Sequence, residues 1–225
     1  MPNDWNLLLA DATADFADLA ADADLDAPVP DCPGWNVASL IVHLGGIHQW
    51  ARHAVVEGNP EGRPEPAPDD DDALAGWYLT HASALRAELT DPERSAWIFG
   101  DGPGTAGWWS RRQVHETRMH TRDLLVATGR ADEWTLDPAL AWDGVDEVAT
   151  MFYPRQLRLG RCDPLPASLR LVATDLPDAD PIVIGDANPV VEVSAPAVDV
   201  LLMLWHRRTS EDLAAAALLA LPFAP

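Results

Sequence analysis

The apolar positions in the first part of the chain repeat with the period of an α-helix. In residues 4–24 they recur every three or four positions, with acidic residues on the opposite face, until Pro28 and Pro30 end the pattern. Four more amphipathic stretches follow, and Asn36, a residue type that favours helix N-termini, precedes the first of them. The pattern predicts helices over about 4–24, 37–56, 73–90, 108–127 and 138–157.

The pattern changes after Arg161. Three short runs, at 168–174, 181–185 and 190–194, are typical of strands, and apolar stretches at about 197–206 and 211–219 return to helical spacing. We therefore predict a mainly α protein of the α+β class, with a helical domain over residues 1–160 and a small α/β domain over residues 161–225.

Two features modify the helical part. The segment 58–72 is rich in proline and ends in four aspartates, which indicates a loop followed by a helix N-terminus that acidic residues favour. The pair Gly45-Gly46 lies inside the second predicted helix, where each glycine costs about 1 kcal/mol relative to alanine. Close packing or access for a substrate must therefore compensate at this pair.

Charge and composition limit the partners of the chain. The formal net charge is -21, which would repel nucleic acid and anionic lipid surfaces, and no window reaches the roughly 18 apolar residues of a membrane span. The two cysteines, Cys32 and Cys162, have no metal-binding or redox spacing and are predicted to be reduced. We expect a cytoplasmic protein, a monomer or a homodimer, that binds neither nucleic acid nor membranes.

A candidate metal site begins on the fourth helix. Glu116 and His120 are four positions apart, so both side chains project from one helix face and can reach one ion. Such pairs are common on solvated helices, and the pair alone is weak evidence. On the second helix, His43 interrupts the apolar stripe between Ile41 and Leu44, and a polar group directed toward a core needs a partner. Two facing helices would then supply two histidines and one carboxylate, a set that suits zinc or a similar divalent ion.

The other histidines fit such a site less well. His115 is rotated by about 100° from Glu116 around the helix, so it would point away from the shared site. We interpret His48 and His53 as surface residues or as lining of a cavity, and His81 as a packed or hydrogen-bonded side chain.

Two motifs carry a resemblance to a known family. The run CPGWNVASLIVHLGGIHQWA (32–51) resembles the second helix of DinB-like bundles, in the branch of mycothiol-dependent maleylpyruvate isomerases and related mycothiol transferases. The run RRQVHETRMHTRDLL (111–125) is similar to the second metal motif of that branch. The likeness continues through 143–156, 169–175 and 193–208, and so covers nearly the whole chain.

The resemblance implies a fold, a cofactor and a site. It implies an up-and-down four-helix bundle, with His43, Glu116 and His120 at the metal positions and a divalent ion, zinc by preference, that binds the thiol of mycothiol. The Leu-Trp-Gly-Arg ending of the family corresponds to residues 204–207, which makes Arg207 the candidate catalytic residue, able to hold a substrate carboxylate. A salt bridge at the end of the helix is an equal alternative role for Arg207. His206 stands where the family usually has a small residue.

The resemblance further implies that a thiolate attacks a small electrophilic, carboxylate-bearing substrate. With maleylpyruvate the thiolate would add to the cis double bond, allow rotation and leave; with other electrophiles the adduct would be the product. Two alternatives remain open from the sequence. One is a non-catalytic small-molecule carrier or stress-related protein, and the other is a metal-dependent hydrolase that activates water.

Overall fold

The computed structural model describes residues 4–100 and 102–223, and it divides the chain into two units between Thr135 and Leu136. The first unit contains four long helices, and a pair of two-residue strands connects the third helix to the fourth. The helices are α1 (Trp5–Ala21), α2 (Val37–Glu57), α3 (Leu74–Glu88) and α4 (Ala106–Ala127), and the antiparallel strands are β1 (Ser95–Ala96) and β2 (Gly104–Thr105).

Side-chain caps mark the first residues of α1 and α2. The side chain of Asn36 accepts a hydrogen bond from the backbone N–H of Ser39 at 2.9 Å, which confirms Asn36 as the N-cap of α2. Asp4 caps α1 in the same way, and Gly58 ends α2 in the left-handed conformation with φ of 69°. The predicted helix bounds are therefore correct to within a few residues.

The four helices form the predicted bundle. Helices α1 and α2 each pack against both α3 and α4, which puts α1 and α2 at opposite corners and α2 beside α4. Apolar side chains from α1, α2, α3 and α4 fill the centre; among them are Phe16, Val37, Leu40, Ile41, Leu44, Tyr78 and Leu124. This neighbourhood of α2 and α4 brings the two predicted metal motifs together.

The second unit contains a three-stranded sheet with helices. Its elements are α5 (Pro138–Glu147), a π-helical turn (Val148–Phe152), α6 (Tyr153–Arg158), β3 (Ser168–Ala173), β4 (Ile182–Ile184), β5 (Val190–Ala195), α7 (Ala197–Leu204) and α8 (Leu213–Leu219). Strand β3 lies in the middle, antiparallel to β4 and parallel to β5. The fold is thus a helical bundle followed by a small α/β part, as the sequence predicts.

The division between the units differs from the predicted boundary at residue 160. The sequence suggests that boundary because the chain remains helical up to about residue 158. In the structure, α5 packs against α7, so the helical segment 138–158 belongs with the strands that follow it. Helical periodicity predicts an element but not the partner against which the element packs. In the described part of the chain, no helix is both long enough and apolar enough to cross a membrane.

Candidate metal centre

The three predicted ligands converge between α2 and α4. The Nε2 atom of His43 lies 3.3 Å from Oε1 of Glu116, and the Nε2 atom of His120 lies 3.4 Å from the same oxygen. Glu116 and His120 share one face of α4, as their spacing predicts, while His43 faces them from α2. Three ligand atoms from two helices therefore meet at one point.

The arrangement of these atoms fits a divalent ion. The donor atoms of His43, Glu116 and His120 all lie within 4.8 Å of one another. Three atoms that coordinate one zinc ion at 2.0–2.2 Å with tetrahedral angles are about 3.4 Å apart. Small side-chain adjustments would then bring all three into coordination, and the fourth position would be left open to a small molecule.

Arg112 stabilises the ionised form of Glu116. It lies one helical turn before Glu116 on α4, its side chain is only 3% exposed, and its Nη2 donates to Oε2 of Glu116. Burial alone would raise the pKa of Glu116, but the charge of Arg112 and hydrogen bonds from His120 and His43 hold that pKa well below its usual range. Oxygen Oε1 therefore faces the histidines as part of a carboxylate.

Asp123 holds the other side of the His120 ring. Its Oδ2 lies 3.0 Å from Nδ1 of His120, and Asp123 is fully buried. Burial alone would lower the pKa of His120, but hydrogen bonds with Asp123, Cys32 and Glu116 raise it well above its usual value. A carboxylate on the distal nitrogen of a histidine ligand is a common arrangement at metal sites, because it fixes the ring and increases its basicity.

The chain before α2 contributes two more side chains to this region. The ring of Trp35 lies against the candidate ligands, with centroid distances of 4.7 Å to His43 and 6.2 Å to His120. The Sγ atom of Cys32 lies 3.6 Å from Oδ2 of Asp123, so that Cys32, His120 and Asp123 form a second group of possible ligand atoms. His120 is common to both groups.

His48 is placed differently from the sequence interpretation, which assigns it to the surface or to a cavity wall. It is fully buried, and its Nε2 lies 3.3 Å from Oγ1 of Thr117. The ring of His48 also lies 5.3 Å from that of Tyr78 on α3. The interpretation was wrong because it considered the rotation from His43 alone, whereas α2 is covered by α3 on one side and by α4 on the other.

The remaining histidines of the first unit lie outside the cluster. His115 is buried but packs against Trp5 with ring centroids 5.8 Å apart, on the far side of α4 as predicted. His53 pairs with Oδ1 of Asn59 at 2.9 Å, and the ring of His81 lies 5.0 Å from that of Trp77.

Arg207 follows α7 in the second unit. Its backbone N–H donates to the carbonyl of Leu202 at 2.8 Å, and that of His206 donates to Met203 at 3.1 Å, which together form a Schellman C-cap. His206 occupies the left-handed position of this cap with φ of 59°, a conformation that glycine adopts more readily than residues with a Cβ atom. The guanidinium of Arg207 donates to the carbonyl of Trp205 at 2.6 Å, while the neighbouring Arg208 makes the helix-end ion pair with Asp199 at 3.0 Å.

A four-helix bundle with two histidines and a glutamate at one point between α2 and α4 defines a class of protein, the helical bundles with a candidate His2Glu metal centre. Comparisons with known proteins give the family within that class. The family model of the mycothiol maleylpyruvate isomerase N-terminal domain matches residues 7–125, and that of the C-terminal domain matches residues 139–221. The chain therefore belongs to the mycothiol-dependent maleylpyruvate isomerase family.

Solved structures agree with this fold. The crystal structure of the mycothiol-dependent maleylpyruvate isomerase is similar, with a TM-score of 0.64 and 13% identity over 89% of this chain and 87% of that chain. A histidine-to-alanine mutant of that isomerase gives a TM-score of 0.62 and 12% identity over the same shares of the two chains. None of the curated proteins matches the sequence.

Proposed function

We propose that this chain is a metal-dependent and mycothiol-dependent enzyme, an isomerase or S-transferase, in which a thiolate attacks a small electrophile. The observation that carries the proposal is the meeting of His43 and His120 at Oε1 of Glu116, at 3.3 and 3.4 Å, across two helices. Membership of the mycothiol-dependent family supplies the thiol. The two-histidine, one-carboxylate donor set suits zinc.

A divalent ion at this point would lower the pKa of a thiol at its open position, so that the thiol is ionised at neutral pH. The protein groups prepare the ligands for this role. Asp123 accepts a hydrogen bond from the Nδ1–H of His120, which orients the ring so that Nε2 would be the ligand atom once an ion displaces its proton. Arg112 keeps Glu116 ionised, and Trp35 covers the rings of both histidines.

Bound mycothiol would supply a thiolate nucleophile for the electrophilic carbon. With a cis alkene conjugated to a carbonyl, addition, rotation about the resulting single bond and loss of the thiolate would give the trans isomer and return the thiol. With other electrophiles, protonation of the adduct or loss of a leaving group would give a thioether. We assign to Arg207, as the family resemblance implies, the binding of a substrate carboxylate, because a guanidinium binds a carboxylate through two parallel hydrogen bonds.

The test compares His43→Ala with His53→Ala. Both residues lie on α2, but His53 pairs with Asn59 outside the cluster. We expect the wild type and His53→Ala to retain one equivalent of zinc and, with mycothiol, either to isomerise maleylpyruvate or to consume the thiol with a maleimide, and His43→Ala to lose both properties. Full thiol-dependent turnover by metal-free His43→Ala would contradict the mechanism.

Thermal unfolding with mycothiol separates an enzyme from a carrier that does not use the thiol. A ligand that binds only the native state raises its apparent stability by RT ln(1 + [L]/Kd). We expect mycothiol to raise the melting temperature of the zinc-loaded wild type and to leave that of His43→Ala unchanged. An unshifted wild type would contradict the assignment of mycothiol.

A further inference from the structure

A cavity opens beside the candidate metal centre within the first unit. Its volume is about 630 Å³, which lies within the range of pockets that hold small organic ligands. It lies between α2, the proline-rich segment 58–72 and α3. Its lining residues are Val42, His43, Gly46, Ile47, Trp50, Pro64, Glu65, Pro66, Ala67 and Trp77.

His43 connects this cavity to the cluster. The ring of His43 lines the cavity, and its Nε2 points to Oε1 of Glu116 at 3.3 Å. The His43 side chain is 30% exposed, whereas that of His120 is 9% exposed, so His43 is the candidate ligand that a molecule in the cavity would meet. A substrate that reacts at the metal centre could therefore extend along His43 into this space.

The glycine pair of α2 forms one wall of the cavity. The ring of Trp77 packs directly on the backbone of Gly45, where an added Cβ atom would overlap the ring. At Gly46, an added Cβ atom would meet only Pro64, at 3.8 Å, so this face of the helix is open to the cavity. Close packing thus accounts for the first glycine, and access to the cavity accounts for the second.

Hydrogen bonds from α2 hold the opposite wall in place. Gln49 accepts from the backbone N–H of Glu65 at 2.7 Å and donates to the carbonyl of Glu65 at 3.4 Å. The indole N–H of Trp50 donates to the carbonyl of Pro60 at 3.0 Å. Three hydrogen bonds therefore hold the proline-rich segment over the helix.

The lining determines which chemistry fits. Among the described lining residues, His43 and Glu65 are the only ionisable ones, and none is an arginine or a lysine. Two tryptophans, two prolines and aliphatic side chains supply the remaining walls. A carboxylate there would gain no cation and would approach the acidic Glu65, which is unfavourable, whereas an apolar ring would bury its surface against carbon.

We propose that this cavity binds an apolar, uncharged group of the electrophile, an aromatic or alicyclic ring, and that the substrate of this chain therefore carries such a group. Maleylpyruvate, which the similar solved structures name, has no ring of this kind. The statement that this group belongs to an electrophilic substrate rests on the proposed function. The affinity of the cavity for an apolar ring can be measured without that reaction.

The experiment uses unreactive probes. N-cyclohexylsuccinimide and N-(5-carboxypentyl)succinimide are saturated analogues of maleimide electrophiles, similar in size, and only the second carries a charge. Each is titrated against the full-length protein, and binding is followed by ligand-observed NMR and by tryptophan fluorescence, since Trp50 and Trp77 line the cavity. Gly46→Leu fills the cavity from α2. Gly76→Leu on α3 is the matched control, because an added Cβ atom there meets nothing within 4 Å and the residue is exposed.

We expect the cyclohexyl probe to saturate the wild type and Gly76→Leu equally, and Gly46→Leu to bind it at least about tenfold more weakly, because the leucine occupies the volume of the ring. Equal or tighter binding of the carboxylate probe, or unchanged affinity in Gly46→Leu, would overturn the inference. Competition of S-methyl mycothiol with the cyclohexyl probe would also overturn the inference, because the cavity would then be the binding site of mycothiol.

The reactive counterparts distinguish this inference from the proposed function. In the zinc-loaded protein with mycothiol, we expect Gly46→Leu to slow the consumption of N-cyclohexylmaleimide more than that of its carboxypentyl analogue, which carries the carboxylate that Arg207 is proposed to bind. Saturable binding of the cyclohexyl probe without any turnover would support the cavity assignment and contradict the proposed reaction. Equal rates for Gly46→Leu and the wild type with N-cyclohexylmaleimide would support the reaction and overturn the cavity assignment.

Discussion

His43 and His48 lie on the same helix, five positions apart, yet the bundle gives them opposite surroundings. His43 is partly exposed and meets a carboxylate whose charge Arg112 also compensates. His48 is fully buried beside the neutral groups of Thr117 and Tyr78, and burial lowers its pKa to about 3. The comparison shows that a histidine becomes a candidate ligand through the charges and the access around it, and not through its burial alone.

The largest expected effect is the complete loss of zinc in His43→Ala, which His48→Ala should not show. In His43→Ala we expect zinc content to fall to background, while the unfolding free energy of the metal-free protein changes by about 1 kcal/mol or less, since the side chain is 30% exposed. In His48→Ala we expect zinc to be retained and the unfolding free energy to fall by about 2–3 kcal/mol, because a buried cavity remains. Metal analysis and urea denaturation measure both quantities. Loss of zinc in His48→Ala but not in His43→Ala would contradict the roles given to the two histidines.

Glu116→Gln tests the charged groups around His43, namely Glu116 and Arg112. Removal of the carboxylate weakens the compensation of Arg112, which is 3% exposed, so we expect the metal-free protein to lose about 3 kcal/mol of stability. Glu88→Gln is the control, because Glu88 pairs with Arg94 at 2.8 Å near the surface, and such pairs contribute at most about 1 kcal/mol. Equal losses in the two variants, measured by urea denaturation, would mean that the Glu116 pair is effectively solvated.

The lowered pKa of His48 predicts that the unfolding free energy of the protein depends on pH. The unfolded state binds a proton at His48 near pH 6.5 and the folded state only near pH 3, so stability rises with pH throughout this window. Between pH 7.5 and pH 5 we expect His48 to account for a loss of about 2 kcal/mol. His48→Leu should show a correspondingly flatter profile of unfolding free energy against pH. Parallel profiles for the two proteins would show that His48 is solvated in the folded state.

Asp123→Asn tests the smallest of these effects. Because hydrogen bonding to Asp123 contributes to the raised pKa of His120, metal-free His120 carries a proton at neutral pH that an incoming ion must displace. Calorimetric titration of zinc in buffers of different ionisation enthalpy should therefore detect proton release by the wild type. We expect less proton release in Asp123→Asn and an affinity for zinc lower by about tenfold. An unchanged proton count would show that Asp123 does not act on His120.

Much of the fold could be predicted because it depends on local patterns. Asn36 caps α2 as its residue type suggests, and the strands at 168–173, 182–184 and 190–195 lie where the alternating runs predicted them. The boundary at residue 160 could not be placed in the same way. The helical pattern at 138–158 is the same whether the helix packs on the bundle or on α7, and only the tertiary contacts distinguish the two.

The candidate site was predictable only in part. Glu116 and His120 share a helix face because of their spacing, and the polar interruption of α2 at His43 indicated a partner across the bundle. Arg112 and Asp123 were missed, although their positions four residues before Glu116 and three after His120 put them on the same face of α4. Helical spacing around each candidate ligand could have identified them.

The sequence by itself determined the helices and strands, the family and the three candidate ligands, because periodicity, caps and motifs are local properties of the chain. The tertiary structure alone decided what surrounds each of these residues. It brought His43 to Glu116 and Cys32 to Asp123, buried His48 among neutral groups, and opened a carbon-lined cavity beside His43. Burial and electrostatic environment depend on which helices are neighbours, and residues distant in sequence determine that.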